Sequence, residues 1–317
     1  MALTIAIGCA ALTAAVLFAL LHTGLAGVLA LDLPNERSLH SRAVPRSGGL
    51  AIVVVAMLPA LWLGGQARML GVMALLLMAV SAIDDRLGLP VVVRLIAHSI
   101  VSITAVLLIH GASPFWIAAL LVVVIVWSIN AYNFMDGSDG MAGGMAVIGF
   151  GAYALGAAQG EHNSLAMVAT AIAGSALGFL AFNFPPARLF MGDSGSAPLG
   201  FLAGTLGVLG WQGGAWTGWF PVLVFSTFLV DASMTLGYRL ARGERVWVAH
   251  KEHLYQRMVA GGVGHTRTAL VAYGVMTASA GLALALEHAR EGTAIVTMIW
   301  LAGCAFLHHY WIRRLNR

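Results

Sequence analysis

The chain has 317 residues, of which 60% are hydrophobic and only 9% charged, with a formal net charge of +4. Its mean hydropathy of +0.87 and its pI near 9.4 lie far outside the range of soluble domains and exclude an ordinary globular enzyme. The two cysteines, Cys9 and Cys304, both sit in apolar runs, which excludes a disulfide framework and a thiolate zinc site.

A bilayer core of about 30 Å requires roughly 20 apolar residues per helix. Breaking the chain at its polar interruptions gives about eleven candidate spans, near 4–30, 48–65, 69–83, 91–110, 114–130, 141–158, 164–182, 197–212, 218–238, 268–287 and 293–311. The opening run lacks a cationic leader and is too long for the apolar part of a signal peptide, so it reads as the first span. The expected fold is an all-α polytopic integral membrane protein of about 11 transmembrane helices, organised as one domain over 1–317. No loop is long enough for a separate soluble domain, and no basic module calls for nucleic acid. One set of loops is short, with Arg68 and Arg290 as its cations, while the other holds almost all remaining Arg and Lys. The positive-inside rule then places the N-terminus outside and the C-terminus in the cytosol. The stripe GSALG at 174–178 has the small-xxx-small spacing of close helix packing.

Taken in chain order, five segments on the cytosolic side carry the unusual polar residues. They are DLPNERSLHSRAVPRSGG at 32–49, DDRLGLP at 84–90, NAYNFMDGSDG at 130–140, NFPPARLFMGDSGS at 183–196 and YRLARGERVWVAHKEHLYQRM at 238–258. Asp84 and Asp85 directly follow an apolar span, at a depth where a carboxylate needs a partner or water; acidic residues that simply end a helix are the plainer alternative. Asp136 and Asp139 are bracketed by Gly137 and Gly140, which break a helix and let backbone amides approach a ligand. Asp193 stands among small residues just before a helix, a start suited to a phosphate.

Five carboxylates thus gather at one membrane face with no lysine close in sequence, and their repulsion calls for a cation. Oxygen ligands in glycine-rich loops point to Mg²⁺ or Mn²⁺, hard ions that bridge substrate phosphates. The expected substrate is therefore a phosphate or diphosphate, for which Arg37, Arg42, Arg46, Arg188, Lys251 and Arg257 are candidate counter-charges; each also serves as a topology marker. His250 and His253 share a helix face like half of a zinc site, but no third ligand stands at a supporting spacing, and Glu252 is on the wrong face. Their expected role is binding or supporting an anionic phosphate. The pair His308 and His309 reads as an interface feature.

This ordered set resembles the polyprenyl-phosphate N-acetylhexosamine-1-phosphate transferases. That family includes the enzymes that start O-antigen, enterobacterial common antigen and teichoic acid synthesis, and the phospho-MurNAc-pentapeptide translocase. The likeness covers nearly the whole chain, and HKEHLYQR looks like the His-x-x-His form of the O-antigen-initiating branch. The resemblance implies that Asp193 binds Mg²⁺ and that Asp84 and Asp85 lie beside the prenyl phosphate, one of them as base. It implies that Asn133, Asp139 and Phe190 contact the uridine, Phe190 by stacking on uracil, while Asn130 and Asp136 shape the same pocket. His250 and His253 would approach the diphosphate or sugar. The partners implied are undecaprenyl phosphate, a UDP-N-acetylhexosamine and membrane lipid, in a bacterial inner membrane; the oligomeric state is left open, a homodimer being one option. Two other readings compete. An intramembrane prenyltransferase would carry acidic residues spaced by four on continuous helices, whereas here Asn133, Asp136 and Asp139 are spaced by three and interrupted by glycine. A transporter of lipid-linked substrates would place its ionisable residues near mid-bilayer in broken helices.

Overall fold

The computed structural model describes residues 1–34, 39, 42–110, 114–248, 250–289 and 292–315; Arg37 and Arg290 lie outside them. The chain folds into helices α1 (Ala2–His22), α2 (Leu25–Leu29), α3 (Gly48–Leu63), α4 (Gly65–Leu87), α5 (Val91–His110), α6 (Phe115–Phe134), α7 (Met141–Gln159) and α8 (Asn163–Asn183). There follow α9 (Asp193–Gln212), α10 (Trp219–Val224), α11 (Ser226–Ala241), α12 (Leu254–Met258), a π-helical turn Val259–Val263, α13 (His265–Ala289) and α14 (Thr293–Leu315). One minimal antiparallel ladder, β1 (Leu31–Asp32) with β2 (Val44–Pro45), pins the loop before α3.

Eight of these helices, α1, α4 to α8, α13 and α14, are long and apolar enough to cross a membrane, and the protein is an all-α polytopic membrane protein. Helices α3 and α9 and the α10–α11 pair run between the same two ends of the bundle; the expected continuous segment 218–238 is interrupted at Phe225. Large apolar side chains cover the outer faces, among them Leu107 (69% exposed) on α5, Phe115 (87%) on α6 and Phe306 (68%) on α14. In water such patches would aggregate; in lipid they are at home.

Inside, helices approach through small residues. A Cβ added to Gly174 would fall 2.5 Å from the Ala6 carbonyl oxygen of α1, and Gly178 abuts Ala10 in the same way, so the GSALG stripe is a helix-packing seam. The segments that carry Arg46, Asp84, Asp85, Arg94 and Asp193 meet at one end of the bundle. There the tight turn after α4 closes through left-handed Gly88, whose N–H reaches the Asp84 carbonyl at 2.8 Å, and Pro90 starts α5. At the same end Gly48 and Gly49 donate to the carbonyls of Phe190 (2.9 Å) and Met191 (2.8 Å), docking the start of α3 onto the segment that leads into α9. Gly49 and Gly195 touch there without room for a Cβ on either.

Candidate active site

At that end a cavity of about 690 Å³ opens between α4, α5, α6 and the loop after α11. Its walls include Asp84, Arg94, Asn130, Asn133, Asp136, Asp193, His250 and His253 at the polar end, and Leu95, Val122, Val123, Val126 and Trp127 at the other.

Each polar residue is held by the local fold. Asp84 occupies the last turn of α4, where its Oδ1 accepts the Leu89 N–H at 2.6 Å and its Oδ2 lies 3.4 Å from Arg94 Nη1. Asp85 points elsewhere: its side chain is 2% exposed, and it accepts the N–H groups of Asp193 (3.0 Å) and Ser194 (2.9 Å). It caps α9 from outside, where the helix dipole favours a carboxylate. Arg46 completes this arrangement, 2.8 Å from Asp85 and 3.3 Å from Asp193. Asp193 is the first residue of α9, after Gly192 at φ 74°, and its side chain remains 22% exposed. Its second oxygen lies 3.4 Å from Arg94. Asp136 follows the end of α6; burial and the neighbouring Asp193 and Asp85 carboxylates hold its pKa well above the ordinary value, against the pull of Arg46 and of the Gly192 N–H. Asn133 donates to Ser196 Oγ at 2.8 Å, and Asn130 bonds back to the Val126 carbonyl at 2.7 Å.

The repulsion expected among the carboxylates is therefore relieved in part by the chain itself, through Arg46 and Arg94. Nothing in the sequence singles out Arg94, which sits four residues into an apolar helix and reads as a topology marker; only the turn at Gly88 brings it against the acidic groups. Among the described residues no three His, Cys, Asp or Glu gather tightly enough to hold a metal unaided. The cavity-facing donors are nevertheless hard carboxylate oxygens, the set that suits an ion held by one or two carboxylates plus substrate phosphates and water.

The histidine loop is fastened by two acidic hubs that the sequence does not reveal. Asp231 on α11 is 6% exposed and accepts from His253 Nδ1 (3.3 Å), His308 Nε2 (3.3 Å), the Leu254 N–H (3.0 Å) and Thr235 Oγ1 (3.1 Å). Glu252 meets Arg239 at 2.8 Å, Arg257 at 3.0 Å and also Arg242. Tyr255 donates to the Phe134 carbonyl at 2.9 Å, joining the loop to the end of α6. His250 and His253 lie 4.9 Å apart, ring to ring. Burial, with His253 and Arg239 beside it, lowers the His250 pKa to about 4.

Other expected residues stand outside the cavity walls. Asp139 accepts the Ala187 N–H at 2.9 Å and lies 3.7 Å from His265, locking the 183–190 loop rather than facing the space. Phe190 is half-buried and engaged through its backbone with Pro45 and Gly48. Arg42 is exposed, Arg257 is turned onto Glu252, and Arg188 packs over Phe182 at 5.0 Å.

A model for glycosyl transferase family 4 matches residues 67–210, from α4 through most of α9, and so contains every carboxylate of the cavity. A probable undecaprenyl-phosphate N-acetylglucosaminyl 1-phosphate transferase of Bacillus subtilis (strain 168) is 31% identical over 263 residues, 77% of this chain and 74% of its own. A decaprenyl-phosphate N-acetylglucosaminephosphotransferase of Mycobacterium leprae (strain TN) is 28% identical over 343 residues, covering 89% and 85%. A phospho-N-acetylmuramoyl-pentapeptide-transferase of Bacillus licheniformis is 44% identical over a shorter stretch of 95 residues, 30% of this chain and 29% of its own.

An all-helical membrane protein with an acidic, arginine-bridged cavity at one end of its bundle is the class that fold and site define. Within that class the chain belongs to glycosyl transferase family 4, the family of polyprenyl-phosphate N-acetylhexosamine-1-phosphate transferases.

Proposed function

We propose that the protein transfers an N-acetylhexosamine-1-phosphate from a UDP-N-acetylhexosamine to undecaprenyl phosphate, releasing UMP and starting the assembly of a cell-envelope polysaccharide. The observation that carries this reading is that one cavity is lined both by Asp84, Asp136, Asp193 and Arg94 and by valines and Trp127. A water-soluble anion and a lipid-borne anion can meet only where both surfaces adjoin.

The phosphate of the lipid is largely ionised at neutral pH and attacks the β-phosphorus of the donor; the phosphoanhydride bond to UMP breaks as the new one forms. Because the nucleophile already carries charge, positioning matters more than proton abstraction. Asp84 is the member of its pair that faces the cavity and is the candidate base, whereas Asp85 holds α9 in place. Asp193 is the candidate ligand for Mg²⁺, with Mn²⁺ as substitute, which when bound would neutralise charge on the diphosphate. Asn130, Asn133 and Asp136 shape the donor pocket, and His250 with His253 offers hydrogen bonds to the diphosphate or sugar. Contacts of Asp139 and Phe190 with uridine and of Arg42 and Arg257 with phosphate would require the 183–190 and 250–258 segments, and the segment around Arg42 before α3, to turn inward on binding. The site end carries most of the chain's arginines, which supports a cytosolic site, a periplasmic N-terminus and a single transmembrane catalytic domain in an inner membrane.

The fate of one atom tests the reaction class. A UDP-N-acetylhexosamine labelled at the β-phosphorus should deliver that label to the lipid, with UMP as the soluble product, and excess UMP should reverse the transfer. Label recovered in UDP, with an unlabelled sugar-lipid, is the result this reading does not survive.

A further inference from the structure

Arg94 and His98 stand four residues apart on α5 and so share one helix face. Both line the cavity. Arg94 bridges Asp84 and Asp193 at 3.4 Å each, which leaves the outer part of its guanidinium fork for a further anion. Among the described residues His98 has no such partner. It is 7% exposed, and its Nδ1 is buried without a hydrogen bond. A buried polar atom left unpaired costs free energy, and within an apolar helix that cost calls for a ligand or a function.

The position of His98 indicates which ligand. It lies one turn further from the turn at Gly88 than Arg94, toward the middle of α5, where the opposite face of that helix is exposed to lipid at Ile96 (53%) and Ile100 (58%). The same cavity is lined by Val122, Val126 and Trp127 of α6, an apolar wall. An anion that comes to this depth has to bring an apolar tail, since a free nucleotide gains nothing there and loses its water. We propose that Arg94 and His98 together seat the phosphate of the lipid acceptor, Arg94 by charge and His98 by an imidazole N–H donated to a phosphate oxygen, with the prenyl chain along the α6 wall. This rests on the acceptor being a polyprenyl phosphate. It adds His98 as an acceptor-selecting residue distinct from the groups that hold the donor.

The test uses the whole protein in nanodiscs. Binding of undecaprenyl phosphate is measured without donor, by native mass spectrometry, and the steady-state KM of each substrate is measured separately. His98→Leu is expected to weaken acceptor binding and raise acceptor KM by about tenfold, the loss of one hydrogen bond to a charged group, with donor KM unchanged. His98→Gln, which keeps an N–H donor, should recover most of the affinity. His98→Met supplies a second apolar variant should the leucine chain misfold. Acceptor KM within about twofold of wild type in a folded apolar variant overturns the seat, as does a rise confined to donor KM, on the same scale of one hydrogen bond. Inorganic phosphate forms the second arm: it is expected not to displace the lipid, and displacement that also depends on His98 reassigns the seat to free phosphate. Lipid binding that depends on His98 in a protein that makes no UMP would sink the transferase reading and leave the seat standing. UMP release with acceptor affinity indifferent to His98 would do the reverse.

Discussion

Two adjacent aspartates on one helical turn do different work because their side chains leave the helix about 100° apart. Asp84 faces the cavity, while Asp85 turns inward to cap α9 and pair with Arg46. Replacing Asp85 by Asn leaves one oxygen for two backbone N–H groups and an arginine, and should cost on the order of 2 kcal/mol of stability. Asp84→Asn should keep the thermal midpoint within a few degrees and lose turnover instead. A common effect of the two substitutions on midpoint and rate would show that the division of labour is wrong. Asp193→Asn should lower turnover by about a hundredfold or more, the scale for removing one electrostatic stabiliser at a reacting centre, because an amide cannot supply the charge a divalent ion requires. A variant that keeps a third of the wild-type rate at saturating Mg²⁺ counts against Asp193 as ligand, a third being well inside that scale.

Among the elements, the described residues between α11 and α12 form neither helix nor strand, and two acidic hubs tie them in place. Asp231 collects two imidazoles and the amides that begin α12, while Glu252 collects three arginines. His308, which reads in sequence as an interface residue of the last helix, thereby braces the histidine that lines the cavity. An Asp231→Asn variant turns an all-acceptor hub into one that also donates, so it should loosen the loop. Turnover should fall by about ten- to a hundredfold, as for other groups that orient functional ligands, and amide exchange at 250–258 should quicken. Unchanged exchange with unchanged turnover would show that the hub is not what holds the histidines. The sequence signals HKEHLYQRM as a chemical loop but gives no route to Asp231, which is one aspartate in an apolar helix; the partner that explains it lies 22 residues away.

For the molecule as a whole, the ends of the bundle differ in kind. One gathers the cavity, the arginines and the end of α14; the other carries short turns and Arg68. A reporter fused after Arg317 should register the cytosol and one placed in the 159–163 turn the periplasm, because cations resist transfer across the membrane; exchanged signals would turn the site to the wrong side. The membrane class, the position of most helices and the identity of the polar segments were legible in the sequence, because lipid imposes a run of about 20 apolar residues wherever a helix crosses and leaves polar residues only where function holds them. The break at Phe225 was not legible, since an apolar run looks the same whether continuous or kinked. Nor could residue order tell Asp84 from Asp85, pair Arg94 with Asp193, turn Asp139 away from the cavity, or join Asp231 to His253 and His308. Those relations depend on the direction in which each side chain leaves its helix and on which helix ends meet, and both are set only when the bundle packs.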